Sequence, residues 1–208
     1  MQITKYLHSC LLIEEKNKTI LLDPGVYSTP VLDINTITKI DAIGITHEHP
    51  DHLDIRFMKK LVEKFPDVQI FSNNSIKIIL AKENIVVDTV GNTFIKLVEF
   101  PHEKIWMGSI CENSMITVFD ILSHPGDSLS FTHTANILAL PITAPWGSTT
   151  WAVAVAEKIK PKVIIPIHDF MWKDEIRIGM YSRLQEYFAE KGIDFKEPLV
   201  GKTITLEN

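Results

Sequence analysis

The first part of the chain alternates between polar and apolar positions, a period of two that is typical of β-strands. Residues 2–14 alternate and then become apolar, a polar turn follows at residues 16–18, and residues 19–22 are apolar again. This pattern predicts a hairpin that ends at Asp23-Pro24-Gly25, a sequence that breaks regular structure. The apolar run at residues 41–46 then predicts a short buried strand.

After this strand, segments whose apolar residues have helical spacing alternate with further predicted strands along the chain. Apolar residues at helical spacing between positions 55 and 65 predict a helix that ends before Pro66. We expect further helices at residues 75–83, after a cap at Ser148, and after a cap at Asp174. We expect further strands at residues 68–71, 93–100, 115–122, 136–141, 162–167 and 202–206. Such alternation predicts an α/β protein with mixed sheets and helices packed outside.

Length and composition favour one folded domain. The chain has 208 residues, of which 45% are hydrophobic and 23% charged, and no repeat or linker divides it, so we predict a single domain over residues 1–208. No apolar run approaches the roughly 20 residues of a membrane-spanning helix. The first residues do not resemble a secretory signal. Two cysteines, Cys10 and Cys111, are too few for a disulfide framework and favour a reducing cytoplasm.

Charge narrows the expected partners. The formal net charge is −5 and the isoelectric point is about 5.9, which argues against a broad basic surface for nucleic acid. We therefore expect a small-molecule substrate, with no nucleic acid and no membrane as partners. Formation of a homo-oligomer is left open by the sequence.

Histidine is enriched, and its distribution points to a metal site. The chain has eight histidines, about twice the roughly four that average usage predicts, and three of them lie in residues 46–52, Thr-His-Glu-His-Pro-Asp-His. Side chains at positions i and i+2 of extended backbone point the same way, so His47 and His49 can reach one ion together. Asp51 and His52 follow where the chain turns into a helix and can face a second ion. Imidazole and carboxylate suit zinc, and also manganese or iron.

The His-x-His-x-Asp-His pattern resembles the hallmark of the metallo-β-lactamase superfamily. That superfamily has a further His, Asp and His downstream, and His102, Asp127 and His168 occupy matching strand-end positions here. The resemblance implies that His47, His49 and His102 bind one metal, that Asp51, His52 and His168 bind the other, and that Asp127 bridges them. The opening residues 5–10 and 21–25 resemble a cytoplasmic branch that includes ascorbate-6-phosphate lactonase. The implied fold is a four-layer αβ/βα sandwich of two mixed sheets.

The resemblance also implies a reaction. Zinc lowers the pKa of bound water from 15.7 to about 7, so a hydroxide held between two divalent ions can attack an ester, lactone or phosphoester bond at neutral pH. Zinc is the expected metal, and the net positive charge of a loaded site favours a small anionic substrate. The alternative on the same fold is an iron-dependent redox enzyme that resembles a sulfur dioxygenase.

Other residues are candidates for supporting roles. We expect catalytic roles for Asp51, Asp127 and His124, the last as a proton donor, a supporting partner or a replacement for His102 as a ligand. The resemblance to the superfamily also implies that Asp23 holds a ligand histidine by a hydrogen bond. His8 is expected to be a structural hydrogen-bonding residue or to lie at the rim of the site. The aromatic residues that follow strands, Trp146, Phe170 and Trp172, form either a substrate wall or part of the core.

Overall fold

The computed structural model describes residues 1–106 and 111–207, whose strands form two β-sheets. The strands of the first sheet are β1 (Gln2–Lys5), β2 (Leu11–Glu15), β3 (Lys18–Leu22), β4 (Ala42–Gly44), β5 (Gln69–Phe71) and β12 (Thr203–Thr205). Those of the second are β6 (Ile95–Glu99), β7 (Ser114–Val118), β8 (Leu122–His124), β9 (Ile137–Pro141), β10 (Val163–Ile167) and β11 (Asp194–Phe195). The spatial orders are β12-β1-β2-β3-β4-β5 and β11-β10-β9-β8-β7-β6.

Both sheets are mixed. In the first, β1 pairs antiparallel with β12 and β2, and β2 pairs antiparallel with β3, whereas β3, β4 and β5 run parallel. In the second, β6, β7 and β8 are antiparallel and β8 to β11 are parallel. The predicted turn after β2 is confirmed: Lys16 and Asn17 both adopt left-handed backbone conformations, with φ of 48° and 60°, as a tight hairpin requires.

The prediction of one strand over residues 115–122 is wrong. The segment forms β7 and β8, which are joined by a tight turn in which Phe119 and Asp120 have φ of 54° and 58°. Asp120 is the one polar residue between Phe119 and Ile121, and a single polar position is also what an alternating strand would show, so the pattern did not mark the reversal. The two-residue strand β11 is a further element that the pattern did not predict.

Four α-helices cover the outer faces of the sheets in the described residues: α1 (Ile55–Lys64), α2 (Asn74–Ala81), α3 (Thr149–Ile159) and α4 (Asp174–Glu190). Helix α1 begins after Asp54, whose carboxylate accepts the backbone N–H groups of Arg56 and Phe57. Helix α3 begins after Ser148, as predicted. Asp174, however, is the first residue of α4 rather than its cap, and it forms an ion pair with Arg177 one turn later.

The buried side chains form three apolar layers. The central one lies between the sheets and includes Ile13, Leu22, Ile116 and Ile165. A second packs the first sheet against α1 and α2, and a third packs the second sheet against α3 and α4. The layer order is therefore helix, sheet, sheet, helix, which confirms the predicted four-layer sandwich. No helix in residues 1–106 and 111–207 is long and apolar enough to cross a membrane.

The parallel parts of the two sheets determine where polar loops can meet. Strands β3 and β4 in one sheet and β8 and β10 in the other lead directly into the polar segments that carry most of the predicted ligands. Loops at the carboxyl ends of parallel strands lie at one edge of a sheet. Stacking the two sheets brings the two sets of loops together at that edge.

Candidate metal centre

The segment of residues 45–54, between β4 and α1, is held in place by Asp23. Asp23 follows β3, is fully buried and has a φ of 45°. Its carboxylate accepts the backbone N–H of Thr46 (2.7 Å), the hydroxyl of Thr46 (2.7 Å) and Nδ1–H of His52 (2.6 Å). These three bonds fix the start of the segment and one of its histidines. The structure thus shows the hydrogen bond that the sequence analysis expected of Asp23.

Two groups of metal-ligating side chains lie at this edge. The first group is His47, His49, His102 and Asp127, and the second group is His8, Asp51, His52 and His168. Within each group the candidate ligand atoms lie within 4.8 Å of one another. All seven ligands predicted from the sequence belong to these groups. His8 is an addition, because the sequence predicted for it a structural hydrogen bond or a position at the rim of the site.

Asp127 lies between the two groups. Its Oδ1 is 3.0 Å from Nε2 of His52 and 3.2 Å from Nε2 of His168, whereas its Oδ2 is 3.4 Å from Nε2 of His102 and 3.8 Å from Nε2 of His47. One oxygen therefore faces each group. This is the geometry that a carboxylate shared by two cations needs.

Hydrogen bonds fix which nitrogen of each histidine faces the centre. Nδ1 of four histidines contacts an acceptor elsewhere in the protein: His47 contacts the Thr46 hydroxyl (3.0 Å), His52 the Asp23 carboxylate (2.6 Å), His102 the Glu103 carbonyl (2.6 Å) and His168 the Thr143 carbonyl (2.8 Å). Because each Nδ1 carries the proton in such a bond, each neutral ring has a bare Nε2. When these rings are neutral, four Nε2 lone pairs thus point toward Asp127.

The residues present fit divalent cations. Among the described residues, Nε2 of His47, His52 and His168 and Oδ1 of Asp127 are buried without a hydrogen-bond partner. Buried polar atoms are normally paired, and a cation can satisfy bare lone pairs that have no hydrogen-bond donor. Nδ1 of His49 and Nε2 of His102 are 3.2 Å apart. Two nitrogens bound to one tetrahedral zinc at about 2.05 Å are separated by about 3.3 Å.

Electrostatics agree with this fit. Burial, reinforced by His52, lowers the pKa of His47 well below its usual value, which keeps the ring neutral and able to ligate. Burial works to raise the pKa of Asp127, but His168 and His52 outweigh it and hold that pKa well below its usual value. Asp127 raises the pKa of His168 despite burial. A bound cation would oppose that protonation, since it replaces the proton as the partner of Asp127.

Replacement of Asp23 tests the support for His52. We expect Asp23→Asn to weaken metal binding by about 10- to 100-fold, because an amide cannot accept all three hydrogen bonds and His52 loses its fixed orientation. Competition with a chromogenic chelator measures the affinity. Asp120→Asn is the matched control, since Asp120 is exposed, pairs with Lys96 and lies in the turn between β7 and β8, outside both groups. Equal affinity in Asp23→Asn and in the unsubstituted protein would contradict this role.

His124 lies outside both groups. It is fully buried, its Nε2–H donates to the Ser9 carbonyl (2.8 Å), and its Nδ1 accepts the backbone N–H of Gly126 (3.2 Å). With both ring nitrogens bonded to backbone, His124 links the loop before β2 to the turn that presents Asp127. The geometry favours this structural role over the proton donor or replacement ligand that the sequence analysis considered. The catalytic role stays a prediction that no observation here supports.

Aromatic side chains border the centre. The indole N–H of Trp146 donates to Oδ2 of Asp127 (2.8 Å), and its ring lies 5.4 Å from the ring of His168. Phe170 stacks on Tyr27 at 4.1 Å, and His8 meets both rings edge-on. Trp146 and Trp172 both pack on the third apolar layer, but the ring of Trp172 contacts Tyr181 of that layer. Of the three aromatic candidates, the structure therefore brings Trp146 and Phe170 to the site and leaves Trp172 in the core.

Cys111 is a neighbour of the first group that sequence reasoning missed. Its Sγ lies 3.8 Å from Nε2 of His49, whereas Nδ1 of the same ring faces His102. Burial raises the pKa of the thiol to about 11, so it is protonated at neutral pH. Cys10 is buried, as expected of a small hydrophobic residue, and both cysteines are free.

The contact between Trp146 and Asp127 yields a prediction. Trp146→Phe removes the indole N–H but keeps an aromatic face, so Oδ2 of Asp127 loses the bond that orients it. We expect metal affinity to fall by about 10-fold. Calorimetric titration of the metal-free protein with zinc measures this change. Trp151→Phe, on α3 and 39% exposed, is the control, and a Trp146→Phe protein that binds like this control would refute the orienting role.

Two mixed sheets, flanking helices and a candidate metal centre at the sheet edge define a protein of the metallo-β-lactamase fold. The chain belongs to the β-lactamase superfamily domain family, whose model matches residues 2–168. The chain is 30% identical over 205 residues to protein Rv0786c of Mycobacterium tuberculosis, covering 89% of this chain and 92% of that one.

Two further comparisons extend this relationship. A UPF0173 metal-dependent hydrolase of Staphylococcus aureus is 25% identical over 199 residues, covering 81% of this chain and 85% of the relative. The structure of Igni18, a metallo hydrolase of the archaeon Ignicoccus hospitalis, aligns with a TM-score of 0.76 at 18% identity, covering 100% of this chain and 98% of the other. At that identity, the likeness to Igni18 concerns the fold. The fold and family expected from the sequence are thereby confirmed.

Proposed function

We propose that this protein is a metal-dependent hydrolase that cleaves an ester, lactone or phosphoester bond in a small anionic substrate. The observation that carries the proposal is the convergence of four bare imidazole nitrogens on the two oxygens of Asp127. The name of the S. aureus relative, a metal-dependent hydrolase, agrees with it. Divalent ions, when bound in such a centre, lower the pKa of water and polarise an electrophilic carbonyl or phosphoryl group.

Each ligand has a role in this proposal. His47, His49 and His102 hold one ion, Asp51, His52 and His168 hold the other, and Asp127 is shared. We propose zinc as the metal, because a donor set dominated by imidazole suits zinc. The charge of two divalent ions exceeds that of the two carboxylates, so a loaded centre attracts anions.

The aromatic border orients the substrate. Trp146 and the stacked pair of Tyr27 and Phe170 present flat, partly apolar surfaces beside the two groups. Such surfaces exclude water from one side of a bound molecule and leave the charged end facing the centre. We propose that this substrate is a cytoplasmic small molecule.

Elemental analysis followed by substrate panels tests the proposal. Protein purified without added metal or chelator is expected to contain about two zinc ions per chain and to hydrolyse members of a panel of lactones, carboxylic esters and phosphoesters. Dialysis against chelator is expected to abolish the activity, and zinc to restore it. Iron in place of zinc, with oxygen uptake and no hydrolysis, would overturn the proposal in favour of the redox alternative.

A further inference from the structure

His8 occupies an unusual backbone position beside the second group. It lies in the connection between β1 and β2, is 1% exposed and has a φ of 59°, a left-handed conformation that is uncommon for a residue with a Cβ. Several bonds hold this connection: Ser28 donates its hydroxyl to the Leu7 carbonyl (2.7 Å), and His124 donates to the Ser9 carbonyl (2.8 Å). The connection is therefore anchored to both sheets.

His8 contacts two proposed ligands of the second group at once. Its Nε2 lies 3.0 Å from Oδ2 of Asp51, and its backbone carbonyl accepts the N–H of His168 (3.2 Å). The rings of His8 and His168 are 4.0 Å apart. Asp51 belongs to the loop after a strand of the first sheet, and His168 follows a strand of the second. One residue thus joins the two halves of the second group.

The chemistry of the contact assigns the donor. A carboxylate that binds a cation is ionised and can only accept hydrogen bonds, so the donor across the 3.0 Å contact is Nε2 of His8. Nε2 of His8 therefore carries the proton, and that nitrogen is not free to bind a cation. Imidazole carries a donor on one ring nitrogen in its neutral form, so this contact does not need a charged ring. A neutral donor orients the carboxylate without repelling a divalent ion.

We propose that His8 is a positioning residue of the second metal site, which orients Asp51 through its side chain and His168 through its backbone. This inference rests on the proposed function, because it requires the second group to bind an ion. Only the side-chain contact depends on the identity of the residue. The backbone contact persists in any variant that keeps the turn, so substitutions at His8 isolate the bond to Asp51.

Two variants separate positioning from direct ligation. His8→Leu keeps an apolar side chain of useful size but has no donor, whereas His8→Gln retains an N–H that reaches about as far as Nε2. Metal-free thermal unfolding establishes that each variant folds. Zinc affinity is then measured by chelator competition in two backgrounds: His49→Ala, which leaves the second group complete, and His168→Ala, which leaves the first group complete. His133→Leu, at an exposed position away from both groups, is the matched control.

In the His49→Ala background, we expect His8→Leu to weaken zinc binding by about 10- to 100-fold and His8→Gln to restore it to within a few-fold. In the His168→Ala background, neither variant is expected to change the affinity. Unchanged zinc affinity of His8→Leu in the His49→Ala background would overturn the inference about His8 and leave the proposed function standing. Failure of His8→Gln to restore binding would also overturn it, in favour of His8 as a direct ligand. A protein with His8 intact that takes up no second ion would overturn the proposed two-metal function as well.

Discussion

Asp127→Ala is expected to lose at least one of two bound metal ions and to reduce hydrolysis by about 1,000-fold or more. Oδ1 of Asp127 faces the second group and Oδ2 faces the first, so the substitution removes a ligand from both. Loss of one ion removes electrostatic stabilisation of several kcal/mol from the transition state, and about 4 kcal/mol corresponds to a factor of about 1,000. Elemental analysis and turnover of the best substrate from the panel measure the two effects.

The control for this experiment is Asp174→Ala. Asp174 is an exposed aspartate in the first turn of α4, where it pairs with Arg177, and its loss should leave metal content unchanged. An Asp127→Ala protein that keeps two ions and normal turnover would show that Asp127 does not bridge. The Trp146 bond to Oδ2 provides a further readout, since intrinsic tryptophan fluorescence should change when its acceptor is removed.

Gly25→Ala is expected to destabilise the protein by about 3 kcal/mol or more and to empty the second group. A Cβ at Gly25 would lie 1.8 Å from the carbonyl oxygen and 2.0 Å from the carbonyl carbon of Asp51, and 2.5 Å from the nitrogen of His52. These are backbone atoms of the segment that carries two proposed ligands, so no flexible side chain can move aside. Val26 also donates its N–H to the Pro50 carbonyl (2.8 Å), which holds the two segments together.

Gly179→Ala is the matched control for this substitution. Gly179 lies within α4, and a Cβ there would meet no atom within 4 Å. We expect this variant to gain about 0.5–1 kcal/mol, because alanine loses less conformational entropy than glycine in a helix. Urea unfolding of the metal-free proteins and elemental analysis of the loaded ones provide the comparison. Normal stability and metal content in Gly25→Ala would mean that the close approach of the two segments is not required.

Local spacing was enough to find part of the metal centre. His47 and His49 are two residues apart in extended chain, so their common direction follows from backbone geometry alone. His102, Asp127 and His168 required more: they lie far apart in the sequence, and only the resemblance to a known superfamily connected them. The structure brings all of these side chains to one edge of the two sheets.

Hydrophobic periodicity could not predict the contacts that His8 and His124 make with distant residues. The bond from His8 to Asp51 joins residues 43 positions apart, and the bond from His124 to Ser9 joins residues 115 apart. Periodicity describes the surroundings of a residue over one or two turns or strands, and it contains no information on which loops face each other. His124 illustrates the consequence. Its position three residues before Asp127 made it a candidate proton donor, but in the structure its Nε2–H donates to the carbonyl of Ser9, in the distant connection between β1 and β2.

The sequence by itself determined the α/β class, most of the strands and helices, and the ligand-rich segment after β4, because these depend on hydrophobic periodicity and short-range backbone geometry. Only the tertiary structure decided that Asp127 turns one oxygen to each group, that His52 is the histidine that Asp23 contacts, that His8 contacts Asp51, and that Trp146 contacts Asp127. The physical reason is that those contacts arise where two sheets stack. The packing of three apolar layers sets their relative position, and that packing depends on residues spread along the whole fold.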